Sequence, residues 1–320
     1  MLYLSSKDLV DLISPAVLIA EIESGLCEFA ENKVIVPVRQ HVDFGGNTLL
    51  TMPAIGERAL GVKIVSVTPS NATRGLPVIN GLMMLCDSAT GLPLAVLDSG
   101  ILTGQRSGAV GAIGLKYTTP PDIDSIGIIG TGVQGTWQSI FACAVRRIRK
   151  VFFVARSDDK AQKFVDAVSR HVPAVRFSRC LDARELLKET QVVITATSSS
   201  DPVLQADREA LENKHFISIG SFKPSMQELP SMVYQLADQI VVDSDAAKFE
   251  VGDLIEPLSL GLLRDENIVH IADLVVGKRS IDTDHTTAFK SVGMALYDLY
   301  AARALFAEGE RLGRGTPLDT

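Results

Sequence analysis

Ser125-Ile126-Gly127-Ile128-Ile129-Gly130-Thr131-Gly132-Val133-Gln134-Gly135 is the stretch on which the reading of this chain turns. Its first half is a short apolar run suited to a buried strand, and its glycines then fall in the spacing G-x-G-x-x-G. A helix is predicted over Trp137 to Arg147 and a second strand over Val151 to Ala155, which completes a strand–helix–strand unit of about 30 residues. In that setting each glycine has its own physical reason. Gly130 permits a tight turn, Gly132 lets the backbone approach a pyrophosphate, and Gly135 lets the helix pack closely on the strand. The helix N-terminus offers free N–H groups and the positive end of a dipole to phosphate, and Val133 and Gln134 of the fingerprint are assigned to the cofactor with the glycines. A glycine turn in an unrelated α/β domain is the competing reading, and the flanking strand and helix weigh against it.

The end of the second strand reads Phe153-Val154-Ala155-Arg156-Ser157. An NAD site usually places Asp or Glu here to bind the ribose 2′-hydroxyl. None stands at 155–157, whereas Arg156 and Ser157 suit a 2′-phosphate, so NADPH is expected, with NADH as a second acceptable cofactor. The alternative is a solvated arginine that discriminates little. Asp158 and Asp159 are read as caps of the following helix.

Further strands are predicted at Val192 to Ala196, Phe216 to Ile219 and Ile240 to Val242, with helical stretches between them. Strands alternating with helices indicate a doubly wound parallel sheet of Rossmann type. Before this region lies a different pattern. A helix start at Ser5-Ser6-Lys7-Asp8 precedes apolar residues at helical spacing, interrupted by Pro15. Residues 33–42 read as a strand with a proline interruption, followed by apolar runs at Leu49 to Met52, Leu60 to Val67 and Ile79 to Cys86. Asp87-Ser88-Ala89-Thr90-Gly91 reads as a hairpin turn. A helix is expected across Leu97 to Tyr117, where Gly104, Gly108 and Gly111 make one smooth face for a neighbouring backbone or a cofactor. Pro120-Pro121-Asp122 marks a domain boundary, and Thr286 to Leu312 has the spacing of one long helix.

The chain has 320 residues, enough for two domains, and a net charge of −7. An acidic surface repels phosphate backbones and argues against nucleic acid. No apolar run is long enough for a membrane span and no signal peptide is visible. Cys27, Cys86, Cys143 and Cys180 are widely spaced, which reads as free thiols in a reducing cytoplasm. His41, His171, His215, His270 and His285 show no metal-ligand spacing, and no metal is assigned.

Several ordered segments together resemble the ornithine cyclodeaminase/mu-crystallin family over nearly the whole chain. They are Val36-Pro37-Val38-Arg39, Gly61-Val62-Lys63, Leu102-Thr103-Gly104-Gln105-Arg106-Ser107-Gly108-Ala109, the glycine fingerprint, Gly220 with Glu228-Leu229, and Phe289-Lys290-Ser291-Val292-Gly293. The resemblance implies a homodimer with two domains per chain: residues 1–118 plus 295–320 as an α+β substrate and dimerisation domain, and 119–294 as the Rossmann domain. It implies that Arg39 and Arg106 hold a substrate carboxylate, for which a planar guanidinium is suited. It places Lys63 near the reacting nitrogen. Read without the resemblance, a lysine sharing a strand face with Val65 and Val67 is either snorkelling or functional, and desolvation would make it a usable acid or base. Thr197 and Ser291 are assigned to the cofactor, Ser291 near the nicotinamide. His41, two residues after Arg39, is expected on the same side of a strand, as a pocket residue or a structural one.

Phe222 stands where ornithine cyclodeaminases carry a catalytic aspartate, and it can neither take a proton nor bind a distal amine. The form Gly220-Ser221-Phe222 resembles reductases of cyclic imino acids, with Phe222 packing on the ring; the plainer reading is a loop residue covering apolar surface. The expected activity is therefore NAD(P)H-dependent reduction of Δ1-pyrroline-2-carboxylate, with Δ1-piperideine-2-carboxylate as a second substrate, to L-proline and L-pipecolate. Alternatives on the same scaffold are an alanine dehydrogenase, a lyase of ornithine cyclodeaminase or hydroxyproline dehydratase type, and a non-catalytic NADPH and small-ligand binding protein of mu-crystallin type.

Overall fold

A computed structural model describes residues 1–319. The chain divides into two compact units, Met1–Arg106 together with the stretch from Met294 onward, and Ser107–Gly293. The division falls inside the helix Ser99–Thr118, ahead of the Pro120-Pro121 boundary read from the sequence.

The first unit is built on strands β1 (Leu2–Leu4), β2 (Gln40–Phe44), β3 (Asn47–Ile55), β4 (Ala59–Val67), β5 (Ile79–Asp87) and β6 (Pro93–Asp98). They lie in the order β1-β6-β5-β4-β3-β2, with the short strand Thr316–Pro317 beside β1. From β2 to β6 the sheet is an antiparallel meander. The hairpin read at 87–91 joins β5 to β6, with Asp87 accepting from the Thr90 amide at 2.7 Å. β4 alternates strictly, so Gly61, Lys63, Val65 and Val67 face the interior while Ile64 faces out. The helix Ala295–Leu312 packs on the helix Pro15–Ala30 and on β3, β4 and β5. Pro15 opens its helix rather than interrupting one, with Ser14 as N-cap accepting from Val17, because the first turn needs no proline N–H.

Two expectations are corrected here. Residues 33–39 are not a strand, apart from a bridge between Ile35 and Ile55, and β2 begins only at Gln40. Pro37 has no amide to give a ladder. Thr286 to Leu312 is not one helix. Thr287–Lys290 is a buried strand, and the helix starts at Ala295 after Gly293 turns with φ +78°. An apolar run carries no period of its own, and here tertiary pairing decides.

The second unit holds the expected doubly wound parallel sheet. Its strands are β7 (Ser125–Ile129), β8 (Lys150–Val154), β9 (Arg176–Cys180), β10 (Val192–Thr195), β11 (His215–Ser218), β12 (Ile240–Val242), β13 (Ile268–His270) and β14 (Thr287–Lys290). The order is β13-β12-β14-β11-β10-β7-β8-β9, and every pairing is parallel. The winding reverses between β7 and β10, and beyond the carboxyl ends of those two strands such a sheet opens a ligand crevice. At Gly108, Gly111 and Gly114 the face of the helix Ser99–Thr118 is filled by protein of the same unit. A Cβ on Gly108 would lie 2.7 Å from Phe141, one on Gly111 1.8 Å from Gln138, and one on Gly114 2.1 Å from Phe289. Among the described residues, no helix is long and apolar enough to cross a membrane.

Candidate active site

Lys63 sits on β4 between Met52 of β3 and Met83 of β5, in the middle of the first unit's sheet. Its side chain is almost wholly buried. The Nζ donates to Oδ1 of Asp298 at 2.8 Å and to the Thr103 hydroxyl at 3.4 Å. The same Asp298 oxygen accepts from Nε of Arg106 at 3.0 Å. Asp298 is fully buried in the helix Ala295–Leu312, and its second oxygen has no hydrogen-bond partner. Arg106 donates through Nε to Asp298. Arg39 lies just ahead of β2, half-buried, and its charge is felt at Lys63.

Burial pulls the Lys63 amine down from 10.5 to about 8. Asp298 opposes that fall by charge and hydrogen bond, while Arg106 and Arg39 add to it by repulsion. The result is an amine that is mostly protonated at neutral pH and gives up its proton just above it. Two guanidinium groups and a buried amine, from Arg106, Arg39 and Lys63, are thus brought together within one unit. His41 is exposed on β2.

The glycine fingerprint lies at the end of β7. Gly130 has φ +107°, and a Cβ there would fall 2.4 Å from the Ala196 carbonyl oxygen. A Cβ on Gly135 would fall 2.0 Å from the Gly130 oxygen. Around Gly132 a Cβ would meet nothing within 4 Å. Gly132 is also the N-cap of the helix Val133–Val145 and supplies no capping side chain. The cradle is therefore closed to side chains at Gly130 and Gly135 and open at Gly132, with unanswered N–H groups behind it, which fits the pyrophosphate of a dinucleotide. Val133 is largely exposed at the helix start, and Oε1 of Gln134 has no hydrogen-bond partner. Arg156 is exposed after β8 and makes no hydrogen bond or ion pair among the described residues. Ser157, rather than Asp158 or Asp159, caps the helix Asp158–Ser169 by accepting from Lys160; Asp158 pairs with Arg179.

Thr197 and Ser291 are both held by carboxylates that the sequence reading left without a role. Oε1 of Glu228 accepts from the Thr197 amide at 2.6 Å and its hydroxyl at 2.9 Å. Oε2 accepts from the Gly220 amide at 2.7 Å, the Ser221 amide at 3.2 Å and the Ser218 hydroxyl at 3.0 Å. Glu228 thereby ties the chain after β10 to the chain after β11, and Gly220 is small because a Cβ would fall 2.1 Å from the Thr197 oxygen. Beneath it, Asp253 accepts from the Glu228 and Leu229 amides at 2.9 Å and from Ser221, and Lys290 donates to the Ser221 hydroxyl at 2.6 Å. Ser291 donates to Asp243 at 2.6 Å, and Asp243 also holds the Val292 and Gly293 amides. Phe222, half-buried, follows this braced turn, with the Lys223 ammonium 5.7 Å from its ring centre.

The sequence motifs assign no role to Thr103, Asp298, Asp243 or Asp253, which the structure places in these networks. Asp298 had a visible signal, a lone acid in the apolar run Ala295-Leu296-Tyr297-Asp298-Leu299-Tyr300. An ionisable group on a buried face needs a partner.

Residues 3–310 match the model of the ornithine cyclodeaminase/mu-crystallin family. A Delta(1)-pyrroline-2-carboxylate reductase of Bacillus thuringiensis subsp. konkukian (strain 97-27) is 34% identical, with 100% of each chain covered. The solved structure of the Thermococcus litoralis Delta(1)-pyrroline-2-carboxylate reductase, in complex with NADH and L-proline, superposes with a TM-score of 0.93 at 31% identity, covering 99% of this chain and 100% of that one. An archaeal alanine dehydrogenase dimer with bound NAD gives 0.91 at 28% identity, covering 100% and 99%. The fingerprint, the parallel sheet, the buried Lys63 cluster and these likenesses agree, and the chain belongs to the ornithine cyclodeaminase/mu-crystallin family.

Proposed function

We propose that this chain reduces a cyclic imino acid, Δ1-pyrroline-2-carboxylate or its six-membered homologue, to L-proline or L-pipecolate. The observation that carries the reading is the buried Lys63–Asp298–Arg106 cluster, which offers a proton and a carboxylate clamp at one place. Relatives bearing the name of that reductase, one of them solved with NADH and L-proline, support it.

The terminal nitrogens of Arg106, with Arg39, hold the substrate carboxylate and orient the ring. Lys63 gives a proton to the imine nitrogen, which makes the adjacent carbon a better hydride acceptor. Gly130, Gly132 and Gly135, with the amides of Val133 and Gln134, hold the cofactor's pyrophosphate, Thr197 and Ser291 line its path, and Phe222 covers apolar ring surface. His41 borders the pocket. The bound nicotinamide nucleotide supplies the hydride. The direct test is cofactor oxidation with Δ1-pyrroline-2-carboxylate, beside pyruvate plus ammonia and L-ornithine. Turnover with the imine alone supports the reading; turnover only with pyruvate and ammonia replaces it with alanine dehydrogenation.

NADPH is the favoured form, because Arg156 is exposed, unpaired and unaccompanied by an acid at 155–157. Arg156→Ala should raise the KM for NADPH about tenfold or more, the worth of one charge-assisted phosphate contact, and leave the KM for NADH nearly unchanged. Equal effects on both would remove Arg156 from the site.

The active species is a homodimer formed through the outer face of the first unit's sheet. There Val42, Ile64, Leu82 and Met84 are 54%, 47%, 47% and 40% exposed, and Ile64 lies directly opposite Leu82 across the ladder. Such a patch calls for a partner, and a second copy covers it symmetrically. Ile64→Lys should shift the protein from dimer to monomer in light scattering, since it buries an unpaired charge. A dimer of unchanged mass would place the interface elsewhere. With its cysteines free, the enzyme works in the cytoplasm.

A further inference from the structure

We infer that Asp298 is the positioning residue of this site: by accepting from Lys63 and Arg106 through one oxygen, it fixes the proton donor relative to the carboxylate clamp and keeps that donor charged. The inference rests on the proposed imine reduction and deepens it.

The geometry is unusual in its economy. Oδ1 of Asp298 takes both the Lys63 ammonium at 2.8 Å and the Arg106 Nε at 3.0 Å, and no water-exposed surface remains on the side chain. The Asp298 helix also packs on β4 itself, so backbone anchors on strand and helix are joined through one buried carboxylate. Charged groups reach Lys63 from three of the segments packed around it. Asp298 comes from the C-terminal helix, Arg106 with the uncharged Thr103 from the helix Ser99–Thr118, and Arg39 from the chain before β2. The flanking strand neighbours, Met52 and Met83, bring no charge. Asp298 is the anion that raises the proton affinity of Lys63 against Arg106 and Arg39, which lower it, and removing it leaves Lys63 and Arg106 as like charges in a poorly solvated place.

Each turnover draws one proton from this cluster. An Nζ–H bond of Lys63 breaks as an N–H bond forms on the substrate nitrogen, the hydride adds to the neighbouring carbon, and solvent returns the proton to the neutral amine. The returning proton enters beside two guanidinium groups. Asp298 makes that re-entry favourable, and its orphan Oδ2, buried without a partner, leaves the aspartate with unused capacity to accept a hydrogen bond or a proton.

The test is the pH dependence of imine reduction in Asp298→Asn and Asp298→Glu, each checked for folding by circular dichroism. In the wild-type enzyme, turnover should fall as pH rises through the Lys63 transition. Asp298→Asn should move that fall about one unit or more toward acid, the usual reach of one adjacent opposite charge, with kcat reduced. Asp298→Glu keeps the charge but displaces it by one methylene. It should return the transition close to the wild-type pH while kcat stays about tenfold or more below, the cost of a small misplacement. A merely structural aspartate would lower the yield or melting temperature and leave the transition where it was. An unmoved transition in a folded Asp298→Asn enzyme overturns the inference. So does an Asp298→Glu enzyme with undiminished kcat, a result that decides the matter even where the asparagine variant does not fold. A wild-type enzyme that fails to reduce the imine sinks the proposed function instead, and the two failures are told apart by that control.

Discussion

Replacing Glu228 with alanine is expected to lower the melting temperature by about 10 °C and to abolish dinucleotide binding. Glu228 is fully buried and accepts five hydrogen bonds, from Thr197, Ser218, Gly220 and Ser221. Alanine leaves the Thr197, Gly220 and Ser221 amides without that acceptor and the Ser218 hydroxyl with only Asp253 at 3.3 Å. Breaking a buried charged network by removing one member costs roughly 3–5 kcal/mol, which in a domain of this size is about 10 °C. The loss of binding follows from location. The amides of Thr197 and Gly220 stand just past the carboxyl ends of β10 and β11, at the side of a parallel sheet where ligands bind. Glu228→Gln should fall between wild type and alanine, because an amide NH2 would confront N–H donors on one side. The measurements are thermal melting and NADPH titration by fluorescence. An alanine variant that melts within about 2 °C of wild type and still binds would show that the network is dispensable.

How far the sequence discloses this molecule depends on whether a residue's role is local or tertiary. The turn at Gly130 to Gly135 is legible because each glycine answers a local constraint, and strand–helix alternation makes the fold readable around it. The first unit's β3, β4 and β5 are equally legible, since alternation on β4 already sets Lys63 beside Val65 and Val67 on the inner face. β9 escapes notice because Arg176-Phe177-Ser178-Arg179-Cys180 is a polar edge strand, and edge strands carry charge to discourage pairing. β13 is only three residues long. β14 is hidden for the opposite reason, for its apolar run continues into the apolar start of a helix. In the site, Lys63, Arg39 and Arg106 stand out only through their motifs. Asp298 is 192 residues beyond Arg106 and 235 beyond Lys63. No spacing rule connects them; a helix laid across a sheet does.

Lys63→Met should reduce kcat for imine reduction by about 10²–10⁴, the usual worth of a placed general acid, while the KM for the imine changes far less, because in the proposed mechanism Arg106 and Arg39 are the groups that hold the carboxylate. Methionine keeps an unbranched apolar stem but removes the ammonium, and with it the proton and the bonds to Asp298 and Thr103. The pH dependence gives the sharper check. With the amine lowered to about 8, the protonated form is abundant at neutral pH and disappears above it, so reduction of the imine should decline as pH rises through about 8. Oxidation of L-proline runs the same step backwards and needs the neutral amine, so its rate should climb through the same pH. Both limbs should vanish in Lys63→Met, leaving slow, flat profiles. Stability should follow the same group. The unfolded lysine binds its proton more tightly than the folded one, so the folded state gains stability as pH rises from about 8 toward 10.5, and the methionine variant should lack that rise. Parallel rather than opposed pH limbs in the two directions would assign the transition to a group other than Lys63, and a Lys63→Met enzyme with kcat within about threefold of wild type would take the proton away from Lys63 altogether.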